Sequence, residues 1–189
     1  VNFVKFSKDD ISKLNNLNFH IIIRGNTTGI LKGDILNCSE KGIISFHHGD
    51  NNWNRGRPPA FWEVYLRKKS TGFIIQKLNN ELDGGIIYIK GCFSTKRTYL
   101  ENLTYLLNES NAYLVKVVID LIENKENLKQ TIPYAGKLYR TPNIIVSLNY
   151  AKQLFSYILI TYIKRKVCKI YPRWNVAYKK IGWDNSNLL

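Results

Sequence analysis

The chain has 189 residues, 44% hydrophobic and 13% aromatic, which is ample for a packed core and excludes a disordered chain. Its formal charge of +14 is unevenly spread: residues 127–189 hold 11 Lys/Arg against Asp184 alone, so the excess reads as a basic tail rather than a dedicated nucleic-acid surface. The cysteines Cys38, Cys92 and Cys168 match no zinc or CxxC pattern and no secretory leader is visible, so a reducing, cytoplasmic location is expected.

Residues 9–17 carry Ile11, Leu14 and Leu17 at three-residue spacing, which predicts a short amphipathic helix. Residues 19–23 form an apolar, β-branched run closed by Arg24-Gly25-Asn26, the pattern of a buried strand and turn. Residues 30–36 suggest a helical turn. Gly42 then leads into a second buried strand over residues 43–46, which delivers His47 at its C-terminal end. Pro58 and Pro59 precede a helix expected over residues 60–68. Residues 71–78 alternate as a strand, and the Asp83-Gly84-Gly85 turn separates it from another at residues 86–89. Such a pair is expected to be antiparallel or to form a bent edge of a mixed sheet.

Beyond Gly91 the period becomes helical. Leu100, Leu103, Leu106 and Leu107 mark one helix, and Ser110 or Asn111 is placed to cap a second that carries Leu114, Val115, Val118, Leu121 and Ile122. Residues 131–141 read as a loop. A third helix is expected over residues 149–166, apolar at 154–163 and ending in Lys164-Arg165-Lys166. That apolar stretch falls short of the ~20 residues needed to span a membrane, so no transmembrane segment is expected. The helix suits docking to a further domain better than lying on an anionic membrane surface. A last segment, residues 174–183, looks like the start of another element. A chain that opens Val-Asn-Phe and contains no methionine reads as part of a longer protein.

Strands alternating with helices, and polar residues gathered at strand ends, indicate an open α/β sheet with its ligand site outside the C-terminal strand edges. A histidine at a strand end and a carboxylate in a Gly-flanked turn suit acyl transfer to an amine. That chemistry needs a donor for the developing oxyanion and a base for the amine proton. His47 fits either role, with Asp83 orienting it. Either residue alone reads more readily as core packing or turn chemistry. Adjacent His47 and His48 do not point easily to one ion from a strand, and Asp50 suits a turn, so no metal site is expected.

Taken in series, Ser45-Phe46-His47, Arg55-Gly56-Arg57-Pro58, Thr71-Gly72-Phe73 and Leu82-Asp83-Gly84-Gly85 resemble the folate-dependent formyltransferase family. The resemblance runs from about residue 19 to 130 and covers the C-terminal half of that catalytic domain. It implies an open, mostly parallel Rossmann-like sheet, N-terminally truncated and followed by helices. Residues 1–136 would form a partial catalytic core, and 137–189 a basic helical extension leading into a further domain.

The resemblance also implies a formyl group passed from 10-formyltetrahydrofolate to a small-molecule amine such as an amino sugar, with His47, Asp83 and Ser45 catalytic. Arg24, Gly25, Asn80, Glu81, Leu82 and Asp83 would wall the folate site, with Arg55 and Gly56 toward the acceptor. The chain departs from the family in placing Ser45 where an asparagine is usual, and in running His48-Gly49-Asp50-Asn51-Asn52 after the histidine. Two alternatives follow: a non-catalytic folate-pocket module serving a downstream domain, or methionyl-tRNA formylation drawing on the basic tail.

Overall fold

The computed structural model describes residues 3–25, 29–80, 85–125 and 136–170, with side chains as far as residue 167. It divides into two units, residues 1–141 and 142–189. In the first, strands β1 (Phe3–Val4), β2 (Ile22–Arg24), β3 (Ile30–Leu31), β4 (Ile43–His47), β5 (Ser70–Lys77) and β6 (Ile86–Ser94) are interleaved with helices α1 (Lys8–Asn16), α2 (Phe61–Tyr65) and α3 (Tyr99–Ile122). The helical turn expected at 30–36 is a 3-10 helix at Gly33–Asn37, preceded by strand β3 where the expectation began.

The sheet has the order β2-β4-β5-β6, with β1 pairing β3 separately. Its open α/β character is as expected, and its pairing is mixed. β2 runs parallel to β4, whereas β4–β5 and β5–β6 are antiparallel. The mostly parallel sheet implied by the resemblance is therefore corrected for the described strands. Ser70–Lys77 and Ile86–Ser94 are joined by a loop of eight residues, too short for the crossover that parallel neighbours require.

Alternation along the strands gives the sheet two faces. Ile44, Phe46, Phe73 and Ile75 pack against Leu106, Val117 and Leu121 of α3 on one. Ile43 meets Ile35, Leu36 and Cys38 on the other, with Ile11 and Leu14 of α1 added at its edge. Ser7 opens α1 through a capping box: its Oγ accepts from Asp10 N at 3.1 Å, while Asp10 Oδ2 accepts from Ser7 N at 2.9 Å.

Helix α3 is unbroken, which corrects the expectation of two helices divided at Ser110. Thr98 caps its start by accepting from Glu101 N at 3.3 Å. Ser110 is fully buried, and its hydroxyl donates back to Leu107 O at 3.3 Å, a bond that lets serine sit inside a helix. Buried Asn102 ties the layers together. Its Nδ2 donates to Ala60 O (3.0 Å) and Thr71 Oγ1 (2.9 Å), and its Oδ1 accepts from Lys96 N (2.9 Å).

The second unit contains helix α4 (Ile144–Ile170), 27 residues long. It begins before residue 149 because Asn143 caps it, accepting from Val146 N at 2.9 Å. The earlier start changes the length argument. The 24 residues Ile144–Val167 are long and apolar enough, by length and composition, to cross a membrane, correcting the expectation of too short a stretch. Ile144, Leu148, Phe155 and Ile158 are exposed along it. The segment expected at residues 174–183 lies outside the described residues.

Candidate active site

His47 ends β4, and Arg24 ends the parallel neighbour β2, in register with Ser45. The C-terminal edges of the two strands therefore lie side by side, where ligands bind in open α/β sheets. Ser45 and His47 are two residues apart and share the face of Ile43, opposite the face that carries α3. His47 is half-buried. A Cβ on Gly49 would stand 3.0 Å from His47 Nε2 and 2.7 Å from Asn54 O, so only glycine leaves room for the imidazole against its own loop.

His48 turns the other way. Its ring stacks on Phe46 at 5.0 Å, and its Nε2 lies 3.5 Å from Ser110 Oγ of α3. Burial, then the neighbouring His47 charge, lowers its pKa to about 4, so His48 is neutral near pH 7. Asp50 is also committed: Lys90 Nζ donates to its Oδ1 at 2.6 Å, and so does Asn52 N at 2.9 Å. His47, His48 and Asp50 thus serve three different purposes and do not converge.

Arg24 donates to Gly29 O and closes the loop after β2. Burial, followed by the charge of Arg57, lowers its pKa, so two guanidiniums bear on this edge of the sheet. Gly25 is exposed, with open space where a side chain would stand. Asn80 Oδ1 accepts from Gly33 N at 3.0 Å and anchors the start of the 3-10 helix. Glu81, Leu82, Asp83 and Gly84 lie outside the described residues, so the expected carboxylate of the site has no described position. Asn26, Thr27 and Thr28, which follow Gly25, also lie outside them.

Arg55 and Gly56 belong to a different feature. Residues 136–139 run alongside residues 51–57, with Arg55 N donating to Lys137 O (3.1 Å), Arg57 N to Tyr139 O (3.1 Å), Lys137 N to Trp53 O (3.2 Å) and Gly136 N to Asn51 O (3.0 Å). Trp53 and Trp62 pack on the Tyr139 ring, with centroids 5.5 and 4.8 Å away. The structure gives Gly56 a backbone-packing role here, since a Cβ would fall 2.1 Å from Tyr139 O. This strap was not legible in the sequence, where Gly136-Lys137-Leu138-Tyr139 reads as loop.

Beneath the loop lies Glu63 of α2, which is 1% exposed. Asn54 joins the two, donating from Nδ2 to Glu63 Oε1 at 2.9 Å and accepting from Gly56 N at 2.9 Å. Glu63 Oε2 has no hydrogen-bond partner among the described residues. Burial pushes this carboxyl above the ordinary carboxylate range, the Asn54 bond opposes, and the Asp50 charge adds to the rise.

A folded-state pKa raised above the unfolded one contributes stability that is fully present below the unfolded value and lost as pH rises through the folded one. Glu63→Gln keeps the Asn54 bond and removes the titration. The variant is expected to melt higher than the parent at pH 8 and close to it at pH 4. Thermal unfolding at the two pH values checks this, and an equal loss at both would refute it.

No family model matches the sequence, and no curated protein matches it. Solved structures do match, at low identity. The formyltransferase of Anoxybacillus kamchatkensis, in complex with UDP-4,6-dideoxy-4-formamido-L-AltNAc and tetrahydrofolate, is 22% identical over 72% of this chain and 71% of its own, with a TM-score of 0.53. Methionyl-tRNA formyltransferase from Clostridium thermocellum is 14% identical over 77% and 67%, with a TM-score of 0.52. A sugar 3N-formyltransferase determined with dTDP and 5-N-formyl-THF is 13% identical over 64% of this chain, with a TM-score of 0.52. The chain spans only 43% of that protein. Its strands and helices have the formyltransferase fold.

Proposed function

We propose that this chain carries the catalytic core of an N-formyltransferase that moves a formyl group from 10-formyltetrahydrofolate to the amine of an amino sugar. The observation that carries the reading is His47 at the C-terminal end of β4, beside the end of β2 and on the face of Ser45, in a sheet with the formyltransferase fold.

The folate supplies an activated formyl group bonded to nitrogen. In the reaction a bond forms from the acceptor nitrogen to the formyl carbon, and the bond from that carbon to the folate nitrogen breaks. The proton lost by the amine ends on the departing nitrogen. His47, as neutral imidazole, takes the amine proton and returns it on the leaving side. Asp83, two residues before Gly85, orients that imidazole and supports its charged form. Arg24, Gly25 and Asn80 are assigned to the folate side. Arg57, whose charge bears on Arg24, suits the phosphates of a nucleotide-linked sugar.

A second reading has one observation behind it. Ser45 donates its only O–H to Phe46 O at 3.2 Å and would have to release that bond to serve the reaction, which suits a pocket that binds folate without turnover. Calorimetric titration with 5-formyltetrahydrofolate, a stable analogue of the donor, tests what the two readings share. Saturable one-to-one binding is expected, and absence of binding to the intact full-length protein would dismiss both. Salt-sensitive affinity for tRNA would instead favour the methionyl-tRNA acceptor.

A further inference from the structure

The pairing of β4 with β5 sets Gln76 directly opposite Ser45. Residues opposite one another in an antiparallel pair project from the same face, with Cβ atoms about 4.5–5.5 Å apart. Gln76 therefore shares the face of Ser45 and His47, away from the α3 core that holds its neighbour Ile75. It is 3% exposed, and its Oε1 is buried without a hydrogen-bond partner among the described residues.

A buried amide with an unmet oxygen is a poor choice for packing. Two residues earlier on the same face, β5 places the fully buried Ile74, which shows what this strand uses where only packing is required. The surroundings point toward the reaction. The place of a Cβ on Gly85, the residue after the turn that holds Asp83, is 3.2 Å from Gln76 Cδ. The carboxamide thus lies between the strand of His47 and Gly85, the second residue after Asp83 in sequence. In the ladder with β6 the register shifts between Ile75 and Gln76, an irregularity of the kind that re-aims side chains beside active sites.

Ser45 has a single O–H, which is bonded to Phe46 O. Gln76 carries two N–H donors on Nε2. We propose that Gln76 is a catalytic residue of this site, donating from its side-chain amide to the formyl oxygen as charge develops there. This rests on the formyl-transfer reading above. Bond changes and proton path are those already given. Gln76 adds one hydrogen bond that strengthens as the carbonyl carbon becomes tetrahedral.

The test compares Gln76→Met, Gln76→Glu and the double variant Ser45→Asn/Gln76→Met with the unaltered full-length protein. Tetrahydrofolate release and thermal unfolding are both measured. Methionine fills the space without polar atoms, so Gln76→Met is expected to melt at the same or a higher temperature. Its kcat is expected to fall about 100-fold, the usual effect of removing one such donor, with the KM of the amine little changed. Gln76→Glu, which exchanges the donor for an acceptor, is expected to be equally impaired. Ser45→Asn sets a carboxamide directly across the ladder and is expected to restore kcat at least tenfold in the Gln76→Met background.

A Gln76→Met protein with kcat within twofold of the parent would overturn the proposal. So would a loss of kcat that merely follows a fall in melting temperature, or full activity in Gln76→Glu. Turnover by the unaltered protein with any of these results removes the role of Gln76 alone. An absence of turnover in the unaltered protein removes the formyl-transfer reading, and this role with it.

Discussion

Replacing His47 with asparagine should lower kcat for formyl transfer by about 1000-fold while leaving the affinity for 5-formyltetrahydrofolate within a few-fold of the parent. Positioned proton transfer contributes about 10²–10⁴-fold, and asparagine keeps a polar side chain of similar reach without a group that titrates near neutrality. Binding should survive because the sheet does not depend on the imidazole: the interior near it is built from Ile43, Ile44, Phe73 and Ile74, all at most 1% exposed.

His48 is an internal control for this argument. It is turned toward α3, away from the face of Ser45 and His47, and its pKa of about 4 makes it a weak base, so it cannot substitute for His47. His48→Gln should change turnover far less than His47→Asn. Comparing kcat and folate titrations for the two variants checks the prediction. Equal losses of kcat would remove His47 from its special role.

The second large effect is structural. Gly56→Ala should destabilise the protein by about 2–3 kcal/mol, seen as a fall in melting temperature of about 5–10 °C for a chain of this size. The added Cβ would lie 2.1 Å from Tyr139 O and 2.5 Å from Tyr139 C, both backbone atoms of the strap. Accommodating it means moving residues 136–139 off the loop. That releases the bonds from Arg55 N to Lys137 O and from Arg57 N to Tyr139 O, and withdraws Tyr139 from Trp53 and Trp62.

The consequence should extend to activity. Gly56 N donates to Asn54 Oδ1, and Asn54 O packs where Gly49 passes His47 Nε2. Thermal unfolding together with kcat measures both. Unchanged melting would show that the strap contributes little to the loop.

The strands were the most legible part of the chain, because apolar β-branched runs bounded by glycine have few other uses. Residues 43–46 and 71–78 fell close to β4 and β5 for that reason, and the place of His47 followed from them. Helix boundaries were harder where one residue type serves two ends. Ser110 is a good cap by composition, yet in the middle of α3 it bonds back to Leu107 O, and periodicity does not distinguish the two. Asn143 was the reverse case, a real cap hidden behind Pro142.

The strap at residues 136–139 has no sequence signature because its pairing is with distant backbone. Gln76 has no sequence signature for a related reason. Among the strand's apolar residues a glutamine passes as an outward position, and only the register of β4 on β5, with the burial of its oxygen, marks it. The resemblance indicated the positions of the site. The structure then divided them: Arg24, Ser45 and His47 gather at one strand edge, while Gly56 packs the loop.

The most direct test of the central claim is a turnover assay. The intact full-length protein is supplied with 10-formyltetrahydrofolate and a panel of nucleotide-linked amino sugars, and the N-formylated sugar is followed by mass spectrometry. The account predicts product from at least one acceptor, formed in step with tetrahydrofolate and reduced about 1000-fold by His47→Asn. Saturable folate binding with no formylated product from any acceptor would contradict it, and would identify the site as a folate pocket that does not catalyse transfer.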